Sequence, residues 1–153
     1  MEAVADAVGG GRVGMRISPS HAIHDVVENS AEDVGHTYLD LVRRIVPFDI
    51  AYLSILHSEP KGELVQALRR EFNGPMIINS GFSRMTSHEE AKDYIADGIA
   101  HAVAVGRPFI ANPDLAHRWQ EKQPVLNDFD PRSSYGTTAA GYIDYPSLTQ
   151  VNA

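Results

Sequence analysis

Four short apolar runs, each followed by a stretch with helical spacing, constrain this chain more than any other feature. They are residues 13–17 (VGMRI), 50–56 (IAYLSIL), 76–78 (MII, after Gly74-Pro75) and 102–105 (AVAV). Each is nearly continuous rather than alternating, the pattern of a strand covered on both faces in a parallel sheet. The intervening segments have the 3.6-residue spacing of amphipathic helices. Ser30 caps one running to about Val46, with Val34, Tyr38, Leu41, Val42 and Ile45 on one face. Residues 62–72 repeat the pattern with Leu64, Val65, Leu68 and Phe72. Ser87-His88-Glu89-Glu90 matches a capping box that opens a helix to about Ala96. Asn112 is a good N-cap, with Pro113 suited to a first turn and Asp114 to the positive helix end. Residues 2–8 read as a helix stopped by Gly9, Gly10 and Gly11. Four consecutive βα units of this kind make an α/β fold with a parallel sheet and helices outside it. From about Gln123 the sequence is loop-rich, with Pro124, Pro131, Gly136, Gly141 and Pro146. It reads as an extended tail packed over one end of the sheet.

Bulk properties exclude several classes. The chain has 153 residues, enough for one domain with a real core. Its net charge of −7 argues against a sequence-independent grip on nucleic acid, which needs a basic face. The absence of cysteine removes disulfide and thiol chemistry and fits a reducing cytoplasm. No apolar run approaches the roughly 18 residues of a membrane span, so no membrane partner is expected. The N-terminus lacks a cationic start followed by a long apolar stretch, so no signal peptide is expected.

Several motifs invite chemistry. Residues 9–14 (GGGRVG) formally match G-x-G-x-x-G, but a dinucleotide fingerprint follows a strand and opens a helix. Here the glycines follow a helix and open a strand, so they read as a helix stop. His21, His24 and Asp25 share a loop without a further ligand cluster; a solvated polar loop is the favoured reading, and no metal site is expected. Arg16 stands near the C-terminal end of the first strand. Either it pairs with a neighbouring carboxylate, or it reaches an electron-rich ligand at the carboxyl edge of the sheet, where parallel α/β proteins bind their ligands. Two loops at strand ends fit the second alternative: NSGFS (79–83) and GRPF (106–109). Glycines let backbone N–H groups approach an anion, and an arginine can fork onto phosphate oxygens. Tight turns use glycine equally well.

Taken together, RVGMRISP (12–19), IAYLSILHSEP (50–60), GPMIINSGFS (74–83), AVAVGRPFIANPDLA (102–116) and YGTTAAGYIDYPSL (135–148) resemble one family closely. It is the Old Yellow Enzyme group of FMN-dependent NAD(P)H oxidoreductases, or ene-reductases. The resemblance implies a (β/α)8 TIM-barrel fold holding FMN at the carboxyl ends of its strands. The matched segments correspond to strands five to eight, so only the C-terminal four βα units are expected. That is a half-barrel forming a single domain over 1–153, with the loop-rich tail over 123–153 packed on the barrel end. Residue by residue, it implies that Arg16 lies against the flavin's pyrimidine edge. Ser80, Gly81 and Phe82 offer backbone groups to the FMN phosphate, Gly106 and Arg107 complete that clamp, and Tyr135 lines the pocket for a small-molecule substrate. Ser80 departs from the glycine or alanine usual there.

The resemblance leaves the family's first four βα units unmatched, and none of the seven histidines stands in the context of its substrate-binding pair. No catalytic residue is therefore assigned. Family members pass hydride from NAD(P)H to flavin and on to an activated alkene. For this chain alone the expectation is little or no turnover, the alternative being a non-catalytic flavin- or phosphate-binding module. Four strands leave two open sheet edges, which favours association. The candidate partners are a second copy or a separate N-terminal half.

Overall fold

The computed structural model describes residues 1–22, 25–121 and 124–151. His24 and Gln123, both invoked above, lie outside the described residues. The chain divides into two compact units: Met1–Arg84 with Glu89–Ala104, and Met85–His88 with the residues from Val105 onward.

The first unit opens with α1 (Glu2–Val8), which ends at Gly9 with φ 86°, a conformation glycine adopts freely. A short 3-10 turn, Gly10–Arg12, leads into β1 (Gly14–Ile17). The triple glycine is thus a helix stop, as its context requires. Next comes α2 (Ala31–Ile45), capped by Ser30, whose hydroxyl accepts from Asp33 N. Then follow β2 (Tyr52–Leu56), α3 (Glu63–Phe72), β3 (Met76–Asn79), α4 (His88–Ala96) and β4 (Ala102–Val103). The strands are parallel in the order β1-β2-β3-β4. Ile17, Ile55, Ile78 and Val103 stand in one register row, and Met15, Leu53 and Met76 in another. These rows join Val42, Ile45, Val65, Leu68, Phe72 and Tyr94 in one core between sheet and helices. Among the described residues no helix is long and apolar enough to cross a membrane.

Successive strand residues point to opposite faces, so the second face carries Gly14 and Arg16, Tyr52, Ser54 and Leu56, Ile77 and Asn79, and Ala102. Here the expectation of strands covered on both faces holds only for part of the sheet. Leu53 to Leu56 of β2 are buried, whereas Gly14, Arg16, Tyr52 and Ala102 are exposed. The exposed positions concentrate on the outer strands, which have a neighbour on one side only. Within this face the Tyr52 ring lies on Gly14: a Cβ at position 14 would fall 2.2 Å from Tyr52 Cζ.

The second unit contains α5 (Arg107–Ala111), α6 (Leu115–Arg118) and α7 (Leu148–Val151). The expected helix capped by Asn112 is corrected. Helix starts earlier, at Arg107, with Gly106 as N-cap and Pro108 in its first turn, where proline's missing N–H is harmless. Pro113 then disfavours helical geometry at the preceding residue. Asn112 is extended (φ −133°, ψ 91°) and ends α5 instead of opening a helix. Its buried side chain donates to Pro108 O (2.9 Å) and accepts from Asn127 N (2.7 Å). The loop-rich segment beyond is held by Arg118, which is fully buried. Arg118 Nε bonds Asp114 Oδ1 (2.6 Å), and its terminal nitrogens donate to Val125 O (2.6 Å) and Pro146 O (2.7 Å). Asp114 Oδ2 in turn accepts from Leu148 N (2.7 Å).

Two predictions follow from these contacts. Gly14→Ala should displace the exposed Tyr52 ring and destabilise the chain by about 1 kcal/mol or less, below the cost of overpacking a buried core. Adding Tyr52→Ser should recover most of that loss, a non-additivity that urea unfolding of the two single variants and the double variant will measure. The second concerns acid. The Arg118 guanidinium, then the Leu148 amide, hold the Asp114 carboxyl below its usual range. A depressed carboxylate stabilises the fold above its unfolded value and loses that contribution as pH falls through the folded value. Trp119, the chain's single tryptophan, adjoins α6 and stacks on His88 (5.1 Å). Its fluorescence should report unfolding of this unit as pH falls below the normal aspartate range, and Asp114→Asn should flatten that pH dependence.

Candidate functional site

Arg16 is the penultimate residue of β1, on the open face, at the carboxyl end of the sheet. Of the two alternatives left open for it, pairing with a carboxylate is not what the structure shows. Among the described residues Arg16 has no ion-pair or hydrogen-bond partner. It lines a cleft of about 530 Å³ together with His21, Glu28, Tyr38, Leu56 and Phe82. That volume is in the range of small-molecule sites.

The loop between β1 and α2 forms one wall. Glu28 ties it down by accepting from Ser20 N (2.6 Å) and from the Tyr38 hydroxyl on α2. Burial, then this hydrogen bond, pushes the Tyr38 phenol up to about 12, so it stays a protonated donor. The loop's turns place Ser20 (φ 61°) and Asp25 (φ 63°) in the left-handed region.

The opposite wall is the loop after β3, and Asn79 builds it. Its Nδ2 donates to Ala104 O (2.8 Å) beyond β4, while its Oδ1 accepts from Gly81 N (3.1 Å). Its main-chain oxygen accepts from His57 N (3.0 Å) beyond β2. One residue thus connects the ends of three strands. Ser80 is fully buried. Gly81 adopts φ 93°, and a Cβ there would lie 3.3 Å from the His21 ring. Glycine is required twice over, by dihedral and by close approach. Phe82 is 57% exposed and meets His21 edge to face at 5.7 Å.

His21 departs from the solvated-loop expectation. Its Nε2 is buried without a hydrogen-bond partner among the described residues. Burial, then the neighbouring His57 and Arg16, lower its pKa, so the ring is neutral at pH 7. Among the described residues no group of three or more His, Asp or Glu side chains could hold a metal ion.

The structure therefore brings Arg16 and Phe82 to one cleft, with Ser80 and Gly81 in the same loop. Gly106, Arg107 and Tyr135 belong to the second unit. There Gly106 has φ −99° and its oxygen accepts from Phe109 N (2.9 Å) and Ile110 N (3.1 Å). Arg107 is the first residue of α5 and half-buried, and Tyr135 is 99% exposed in a turn. Sequence reading missed Asn79 and His21. The first opens NSGFS, and an asparagine just before a strand-end turn is a ready source of side-chain bonds to backbone. For the second no local signal exists, because its partner surface is Gly81-Phe82, far away in sequence.

Residues 1–125 match the profile of the NADH:flavin oxidoreductase / NADH oxidase family. The chain belongs to this family. The Arabidopsis thaliana protein 12-oxophytodienoate reductase 2 is 34% identical, over 97% of this chain and 40% of its own length. The same identity is found with a probable flavin mononucleotide-dependent alkene reductase of Leishmania infantum, over 97% of this chain and 39% of that protein. Among solved structures, morphinone reductase superposes with a TM-score of 0.83 at 30% identity, covering 99% of this chain and 40% of that one. The old yellow enzyme from Trypanosoma cruzi gives 0.82 at 37%, covering 96% and 38%. These neighbours are TIM-barrel proteins, and this chain spans about two fifths of their length. The family uses FMN with NAD(P)H.

Asn79→Ala removes both side-chain bonds of the staple. We expect a loss of about 1–3 kcal/mol in urea unfolding, from two hydrogen bonds of ordinary size. An unchanged midpoint would show that the loop holds its shape without them.

Proposed function

We propose that this chain forms the flavin-nucleotide end of an FMN-dependent NAD(P)H oxidoreductase, as the C-terminal four βα units of a (β/α)8 barrel. The observation that carries the reading is the guanidinium of Arg16, unpaired among the described residues, at the carboxyl edge of a parallel sheet, in one cleft with the loop of Gly81 and Phe82. The residues fit the group. FMN is anionic, and the cleft offers a guanidinium that has no partner among the described residues, beside a left-handed glycine turn.

FMN, when bound, supplies the redox chemistry: it takes a hydride from NAD(P)H and passes it to an activated alkene. The chain's own residues bind and orient it. Arg16 faces the flavin's pyrimidine edge, where a positive charge favours the reduced, anionic ring. Ser80, Gly81 and Phe82 present main chain to the phosphate. The N–H of Gly81 is engaged by Asn79, so the part of Gly81 itself is to hold the left-handed turn of this loop. Gly106 and Arg107 complete the phosphate clamp, and Tyr135 lines the pocket for a small-molecule substrate. No catalytic proton donor is assigned within these residues. The open face of the sheet is closed by a second copy or by a separate N-terminal half, and without it the chain is a binding module with little turnover.

Size-exclusion chromatography with detection at the flavin's visible absorbance tests the reading, since it reports assembly and cofactor retention together. Co-elution of FMN with the protein is the expected result. Arg107→Ala should weaken FMN by about 1–3 kcal/mol, the size of a charge-assisted hydrogen bond, and Arg16→Leu should weaken riboflavin as well as FMN. A purified chain that never retains flavin at millimolar FMN overturns the proposal.

A further inference from the structure

The loop after β1 delivers a polar atom that the reading above does not use. His21 Nε2 is buried with no hydrogen-bond partner among the described residues. Its ring nevertheless lies in a defined place, against Gly81 and edge-on to Phe82, on the wall of the cleft that Arg16 also lines. An apolar side chain of similar size would fill this space without stranding a nitrogen, and a stranded buried polar atom is destabilising. Unsatisfied polar groups of this kind in a cleft wall mark positions that a ligand atom completes.

We infer that His21 is a nucleotide-contacting residue, its Nε2 N–H donating a hydrogen bond to an oxygen of the bound flavin nucleotide. The inference rests on the cleft being the FMN site. Two kinds of oxygen offer the same acceptor chemistry, those of the phosphate and the carbonyls of the flavin's pyrimidine edge.

The groups facing His21 leave this role open. Arg16 on β1 is a donor only and cannot satisfy an N–H. Glu28 is occupied by Ser20 N and the Tyr38 hydroxyl. His57 Nδ1 accepts from Glu59 N (3.0 Å). Gly81 N is turned to Asn79. None of these groups bonds His21 Nε2 among the described residues, and an oxygen of the bound nucleotide is the acceptor assigned to it. A neutral imidazole suits this task beside Arg16. It adds a directed hydrogen bond without a second positive charge at the same edge, which the neighbouring guanidinium would oppose.

Titration of FMN and of riboflavin into the wild type, His21→Ala and His21→Gln, followed by flavin fluorescence, tests the inference. His21→Ala should weaken FMN about tenfold, a factor expected for one lost hydrogen bond. The protein's urea midpoint should stay level or rise, since the variant removes a stranded nitrogen; a purely structural histidine would lower it. His21→Gln, whose amide carries an N–H near the position of Nε2, should return FMN affinity to within about threefold of wild type. The riboflavin arm identifies the acceptor. An equal loss of riboflavin affinity in His21→Ala places the contact on the ring edge, and riboflavin binding left unchanged places it on the phosphate. Wild-type affinity for FMN in His21→Ala, or a glutamine variant as weak as alanine, overturns the inference while leaving the FMN site standing. A wild-type chain that binds neither flavin overturns both.

Discussion

Asn79 holds the carboxyl edge of the sheet. Three bonds leave this one residue: main-chain oxygen to His57 beyond β2, Nδ2 to Ala104 beyond β4, and Oδ1 to Gly81 in its own loop. Parallel strands are joined by long crossovers, so nothing local fixes the relative positions of their ends. Ladder hydrogen bonds set the register inside the sheet but stop where the loops begin. A side chain with one donor pair and one acceptor, placed at the end of an inner strand, extends the cross-strand pairing by one further step. The shape of the cleft depends on that step. The left-handed turn at Gly81 is stable because Asn79 captures its N–H, and the approach of His21 to Gly81 is possible because the turn is fixed.

The core was readable for a simple reason. Near-continuous apolar runs separated by amphipathic spacing have few folding solutions, and α1 and α3 lie within a residue of their expected bounds. The Ser30 cap is realised through Asp33 N. The helix after β4 was misplaced because two prolines compete for the same role. Pro108 and Pro113 both suit a first turn, and the identity of the preceding residue does not decide between them. Glycine at 106 leaves the backbone free to turn into α5, while Pro113 constrains Asn112 and closes it. Much of the site resisted reading because its contacts are long-range. Glu28 reaching Ser20 and Tyr38, or His21 against Gly81-Phe82, depends on the path of a loop that no short pattern encodes. The family resemblance identified the loops that matter, but its motifs are silent about His21, which stands outside all of them except by adjacency to RVGMRISP.

The chain spans about two fifths of the length of its relatives, and the sheet bears the mark of that. Its helix-facing side is buried in one continuous core. Its other side mixes an aromatic ring resting on glycine, Leu56, Ile77, a serine, an asparagine, an alanine and an arginine unpaired among the described residues. In a closed barrel such residues interlock with those of facing strands. The contrast between the two faces comes from one sequence rule, alternation along each strand, applied to a sheet whose neighbours differ on its two sides.

Arg16 has Ser54 as its register neighbour on β2, and Ala102 occupies the same face on β4. Its neighbour on β2 is a small side chain, and among the described residues no carboxylate pairs with the arginine. Its long stem therefore keeps its rotational freedom until a ligand arrives. Ordering such a side chain consumes about 0.5–1.5 kcal/mol of whatever attraction the guanidinium provides. The fold has traded preorganisation for reach: it supplies charge at the rim and leaves the arriving molecule to choose the angle at which that charge is used.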